Sequence, residues 1–199
     1  MQFEFGGAYY HLTNTQLVVG AIVLIVVVLI IIGAYLEHRK TKTKALRDRF
    51  GTEYDRAVLT QGSPRKAENK LSDRETRVDA LKTRDLDAHA RDRFVADWKT
   101  VQSRFVDHPK AAVTEADDLL NALLEARGYP QSNFEQRAAD ISVNYPRVME
   151  NYRFAHGIVV RPGQVEATTE ELRTAMIRYR DIFDELLQPQ VAIGQKAVA

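Results

Sequence analysis

Twenty consecutive residues, Leu17 to Leu36 (LVVGAIVLIVVVLIIIGAYL), carry no charge, and after them the chain alternates apolar and polar positions at helical spacing. At about 1.5 Å per residue, a helix of that length reaches about 30 Å, the thickness of bilayer hydrocarbon. Eleven of the twenty are Val or Ile, which would suit a buried strand, but the run is several times longer than a strand. The fifteen Val, Ile and Leu residues together favour insertion by about 5 to 9 kcal/mol. The pattern predicts one transmembrane helix over 17–36.

Beyond residue 36 the periodicity predicts helix after helix, with no sustained period-two alternation and no Asn-Gly or Asp-Gly hairpin signal. Leu46, Phe50, Tyr54 and Val58 recur every four residues, so a helix continues past the membrane, weakened at Gly51. Gly62 suits a helix C-terminus, and Ser63-Pro64 suits the start of the next. From Pro64 to Thr83 the apolar positions are Ala67, Leu71, Val78 and Leu81, interrupted by Arg74 and Arg77, and half the residues are charged. That composition predicts a solvated helix folded back on its predecessor.

A denser stripe follows: Leu86, Ala90, Phe94, Trp98, Val101 and Phe105. Pro109 ends that helix. Further stripes lie over Val113, Ala116, Leu120 and Leu123, over Phe134, Ala138, Ile141 and Tyr145, over Val148, Tyr152, Ala155 and Val159, and over Leu172, Met176, Tyr179, Phe183 and Leu186. Gly128 and Pro130 separate the first two, Pro146 the next, and Arg161-Pro162-Gly163 the last. Ser132 with Glu135, and Thr168 with Glu171, match the capping-box spacing. The fold class is therefore all-α. It comprises a short extracytoplasmic tail (1–16), the transmembrane helix (17–36), basic juxtamembrane helices forming a stalk (37–84), a compact five-helix bundle (85–187) and a loose tail (188–199).

Charge sets the orientation. Met1 to Thr15 holds one Glu and no Lys or Arg, whereas Arg39, Lys40, Lys42, Lys44, Arg47 and Arg49 crowd behind the apolar run. The positive-inside rule places the amino terminus outside and the long remainder in the cytoplasm. Arg39, Lys40, Lys42 and Lys44 are the expected contacts to lipid headgroups. Phe3, Phe5, Tyr9, Tyr10 and Tyr35 are candidate interfacial anchors. A cleaved signal peptide fits poorly, because the run lacks a basic leader, is too long, and ends without a small-residue cleavage site. The net charge of +1 conceals a gradient: 19 Lys and Arg against 13 Asp and Glu over 37–110, then 9 against 13 over 111–199.

Chemistry is sparse. With no cysteine, disulfides, thiolate metal sites and cysteine nucleophiles are excluded. The five histidines show no ligand spacing, and no phosphate-loop, dinucleotide or nucleophile-elbow motif occurs, so no metal, cofactor or catalytic residue is assigned. Interleaved acids argue against nucleic acid as a partner. The apolar run lacks a small-xxx-small pairing motif. The richest stretch, Phe134 to His156, mixes arginines with aromatics. Arg137, Tyr145, Arg147, Tyr152 and Arg153 form a candidate partner-binding surface, set against the plainer reading of core aromatics with internally paired arginines.

The block WKTVQSRFVDHPKAAVTEADDLLNALLEARGYP, with FEQRAADISVNYPRVMENYRFAH after it, resembles a bacterial family of helical proteins, membrane-anchored or described as secreted, with no assigned activity. The resemblance spans about Trp98 to Leu187 and implies bacterial origin, which together with the apolar run gives a bacterial inner membrane as the expected location. The layout is also similar to that of LemA-type proteins, whose motifs are absent here. Two functions compete: a non-enzymatic tethered scaffold that binds another protein or itself, and a membrane-anchored enzyme or ligand sensor. The second requires Glu135, Asp140, Glu150 and His156 to converge between helices.

Overall fold

The computed structural model describes residues 2–5, 8–11, 14–161 and 167–189. Two short strands, β1 (Gln2–Phe5) and β2 (Ala8–His11), pair antiparallel with Gln2 opposite His11 and Phe5 opposite Ala8. Every other regular element among the described residues is helical: α1 (Asn14–Phe50), α2 (Thr52–Gln61), α3 (Pro64–Asp79), α4 (Ala88–Arg104), α5 (Pro109–Ala126), α6 (Phe134–Asn144), a 3-10 turn (Pro146–Val148), α7 (Met149–Val159) and α8 (Thr169–Leu187). The side chains of Phe3, Phe5, Tyr9 and Tyr10, the Pro162-Gly163 break and the stretch 190–199 lie outside the described residues.

The chain divides into two compact units, Met1–Ala45 and Leu46–Ala199. In the first, α1 is long and apolar enough to cross a membrane. From Val18 to Leu36 its large apolar side chains are each 45 to 65 % exposed.

In the second unit, several punctuation signals work as their chemistry dictates. Gly62 adopts a left-handed conformation (φ 69°) and its N–H bonds Val58 O, closing α2. Ser63 accepts from Lys66 N at 3.3 Å, and Pro64 opens α3. Thr168 and Glu171 form the full capping box of α8. Gly128 has φ 89°, and a Cβ there would lie 2.6 Å from Lys82 O, so this position excludes any side chain twice over. Glu135 does not cap α6, however. The cap is Asn133, which accepts from Gln136 N at 2.9 Å, because asparagine one residue later offers an equally good acceptor and Glu135 is drawn to Arg153.

The main core joins α4, α5, α6, α7 and α8. Trp98 is buried and stacks on Phe183 with ring centroids 4.8 Å apart. Each of the five sequence stripes supplies residues to this core. A smaller core joins the last turn of α1 to α2 and α3 through Leu46, Phe50, Tyr54, Ala57, Ala67, Leu71 and Val78. Val143 of α6 completes it, and Leu81 touches both cores. The helices expected to be solvated therefore share α6 with the main core.

Arg127 ties the elements together. At the end of α5, it is 1 % exposed. Its Nη1 donates to Leu186 O at 2.7 Å and Gln188 O at 3.0 Å, and its Nη2 to Asp85 Oδ1 at 3.1 Å. It thereby satisfies carbonyls at the carboxy end of α8 that the helix itself leaves without donors.

Candidate functional site

The functional candidates gather where α2 and α3 meet α6 and α7. Glu53, in the first turn of α2, is 5 % exposed and accepts two bonds from Arg153 of α7, from Nε at 3.2 Å and Nη2 at 3.1 Å. This fork-to-fork geometry matches the planar guanidinium to a carboxylate. Glu135 approaches the same arginine at 3.5 Å from α6. One turn further along α6, the almost completely buried Asp140 accepts from Arg77 Nε at 3.0 Å and from Gln136 at 2.8 Å. Arg74 of α3 feels the charges of both pairs. Burial pushes its pKa below the ordinary arginine value, the Glu53 carboxylate pulls it back up and Arg153 lowers it further.

A second polar group lies between α5, α7 and α8. Tyr179 donates to Asp117 Oδ1 at 2.8 Å, and His156 Nδ1 lies 3.4 Å from the same oxygen. The His156 ring stacks on Phe134 with centroids 3.8 Å apart. Burial, then the Asp117 carboxylate, pushes the Tyr179 hydroxyl far above its usual pKa. Beside it, Arg137 Nε donates to Tyr152 OH at 2.7 Å. Burial pushes Tyr152 up to about 12 against the opposing pull of Arg137.

Comparison with protein-family models, curated proteins and solved structures finds no match. The reading of these groups therefore rests on their own geometry.

Of the five residues predicted to face a partner, Tyr145 and Tyr152 are core, Arg137 and Arg153 are held by Tyr152 and Glu53, and Arg147 is exposed. Tyr145 lies under the Arg127 guanidinium, 5.8 Å from its ring centroid. The four residues of the competing hypothesis do not share a site. Glu135 turns to Arg153, Asp140 to Arg77, His156 to Asp117, and Glu150 is exposed. Among the described residues no group of three or more His, Asp or Glu is arranged to hold a metal. Arg39, Lys40, Lys42 and Lys44 are all exposed on α1, with Lys40 3.6 Å from Glu37. The sequence did not single out Asp117 or the role of Arg74 and Arg77. Those two arginines read as flaws in a weak stripe, whereas they face α6.

Proposed function

We propose that the chain is a single-pass protein of the bacterial inner membrane, with its amino terminus outside and a cytoplasmic, non-enzymatic helical module that scaffolds or recruits another protein. The observation that carries this reading is the uncovered apolar length of α1 followed at once by exposed Arg39, Lys40, Lys42 and Lys44. Lipid satisfies the first and anionic headgroups the second, at about 1 kcal/mol per basic residue. The positive flank sets the orientation. Within the module, α4 to α8 serve as a five-helix bundle with the α2–α3 hairpin laid against α6. The dispersal of Glu135, Asp140, Glu150 and His156 among separate partners favours a binding role over a catalytic one. Arg147 and the 43 %-exposed Phe154, lying 5.9 Å under the Arg178 guanidinium, supply the arginine and aromatic anchors typical of interfaces.

Topology and partner are tested together. A fluorescent reporter at the carboxy terminus, functional only in the cytoplasm, is expected to light, and an alkaline phosphatase fusion at the same place to stay inactive. The reverse pattern overturns the orientation. A photo-crosslinker at Phe154 is expected to give one discrete adduct in intact cells. No adduct, together with a monomer by light scattering in detergent, overturns the scaffold reading.

A further inference from the structure

We infer that the β1–β2 hairpin is a lipid-binding element: the face carrying Phe3, Phe5, Ala8 and Tyr10 seats in the boundary between headgroups and acyl chains beside α1, and the opposite face meets water. The backbone register carries this assignment. Directly opposed residues of an antiparallel pair share a face, and successive residues of a strand alternate between faces. Phe3 pairs with Tyr10 and Phe5 with Ala8, which collects three aromatic residues and an alanine on one face. Gln2 pairs with His11 and Glu4 with Tyr9, which collects the polar residues on the other. Glu4, the one acidic or basic residue among Asp, Glu, Lys and Arg between positions 1 and 15, falls on that polar face. Tyr9 and Tyr10, alike as candidate anchors in the sequence, are thereby separated.

Two strands alone are marginal in water and need a further surface for their apolar face. The compact unit that holds the hairpin, Met1–Ala45, contains among the described residues no regular element besides the strands and α1. Chain length brings the bilayer within reach. From His11, the last residue of β2, to Asn14, the first of α1, the chain can span at most about 11 Å. From Asn14 to Leu17, where the apolar run begins, α1 rises about 5 Å. The end of β2 is thus tied within about 16 Å of the hydrocarbon, whose headgroup layer is itself about 5 to 8 Å deep. Strands of this length measure about 13 Å, so a hairpin lying flat on that tether sets one whole face against the lipid. Aromatic residues favour this zone, tyrosine most of all, because its ring is apolar and its hydroxyl wet. Amphipathic elements at the same depth bury their apolar face by about 5 to 10 Å. With Glu4 on the far face, no carboxylate has to be desolvated. This seating requires α1 to span the bilayer, as in the proposed function, in either orientation.

The chain has no cysteine, so one introduced thiol carries one spin label. The full chain, labelled singly, is placed in liposomes of phosphatidylcholine and phosphatidylglycerol. Electron paramagnetic resonance then reads collisions with oxygen, which concentrates in lipid, and with a water-soluble nickel chelate. F3C, F5C, A8C and Y10C are expected to give oxygen-to-nickel ratios several-fold above those of Q2C, E4C and Y9C. Equal ratios on the two faces, or the reverse order, overturn the proposal. Shielding of the first set from both reagents also overturns it, since protein rather than lipid then covers that face. Should loss of an aromatic residue unseat the hairpin, A8C decides: a ratio above that of Q2C supports the seating, and one no higher overturns it. I25C, within α1, separates the two readings. Oxygen access at I25C with no alternation along the hairpin defeats the lipid-seated hairpin alone, whereas nickel access at I25C defeats the membrane-spanning reading as well.

Discussion

Helices α6 and α7 face two environments built from opposite chemistry. Toward α4, α5 and α8 they present Ala138, Ile141, Met149, Tyr152 and Ala155 to a core centred on the Trp98–Phe183 stack. Toward α2 and α3 they present Asp140 and Arg153, each answered by one opposite charge, Arg77 and Glu53. Apolar contact is roughly proportional to area and tolerates many arrangements. A buried ion pair tolerates few, because a misplaced partner leaves a bare charge in a low dielectric. The apolar side supplies the greater part of the stability, and the charged side fixes which helix lies where.

The largest expected effect tests the apolar side. Trp98→Ala should cost about 3 to 5 kcal/mol in urea unfolding of the detergent-solubilised chain, and a loss under 1 kcal/mol would show that the stack is not central. On the charged side, Glu53→Ala should cost about 3 kcal/mol because buried Arg153 keeps only the exposed Glu135 at 3.5 Å. The double change Glu53→Leu with Arg153→Met should recover most of that loss. If the double variant unfolds as easily as the single one, the pair is not what holds α2 against α7.

Alkali should separate the two sides without mutation. Burial raises Tyr145 and Tyr152 to about 12, and raises Tyr179 as well. The folded chain therefore keeps protons that the unfolded chain releases from about pH 10. Their stabilising contribution is complete below pH 10 and is lost as pH rises toward 12. Unfolding by circular dichroism should coincide with the rise of tyrosinate absorbance, and tyrosinate appearing well before unfolding would contradict the assignment. The smallest effect is local: Thr168→Ala removes the cap of α8 and should cost about 1 kcal/mol, with no change in the Glu53–Arg153 coupling.

Where local chemistry decides a feature, the sequence discloses it. The glycine at 62, the Ser63-Pro64 start and the Thr168–Glu171 box each work through neighbours a few residues away, whereas the close approach of Lys82 to Gly128 comes from far along the chain. The stripes of α4 to α8 were legible because each helix has one wet face. The amino-terminal hairpin escaped notice although Gly6-Gly7, a dipeptide suited to two-residue turns, separates its strands. The charged groups were hidden for another reason. Arg153 finds its partner 100 residues away and Arg77 finds Asp140 63 residues away, and no periodicity within one helix reports such distances. An arginine in a sparse stripe looks like a solvated position until the facing helix is known.

Arg127 has a consequence for how damage to the gene would be felt. A stop codon at position 186 would leave α1 to α7 and most of α8 in place. It would nevertheless strip that guanidinium of the Leu186 and Gln188 oxygens and leave a sealed cation with only the Asp85 carboxylate. Such a truncated chain should be made at the normal rate and then degraded, so the lesion would show as missing protein rather than as altered message.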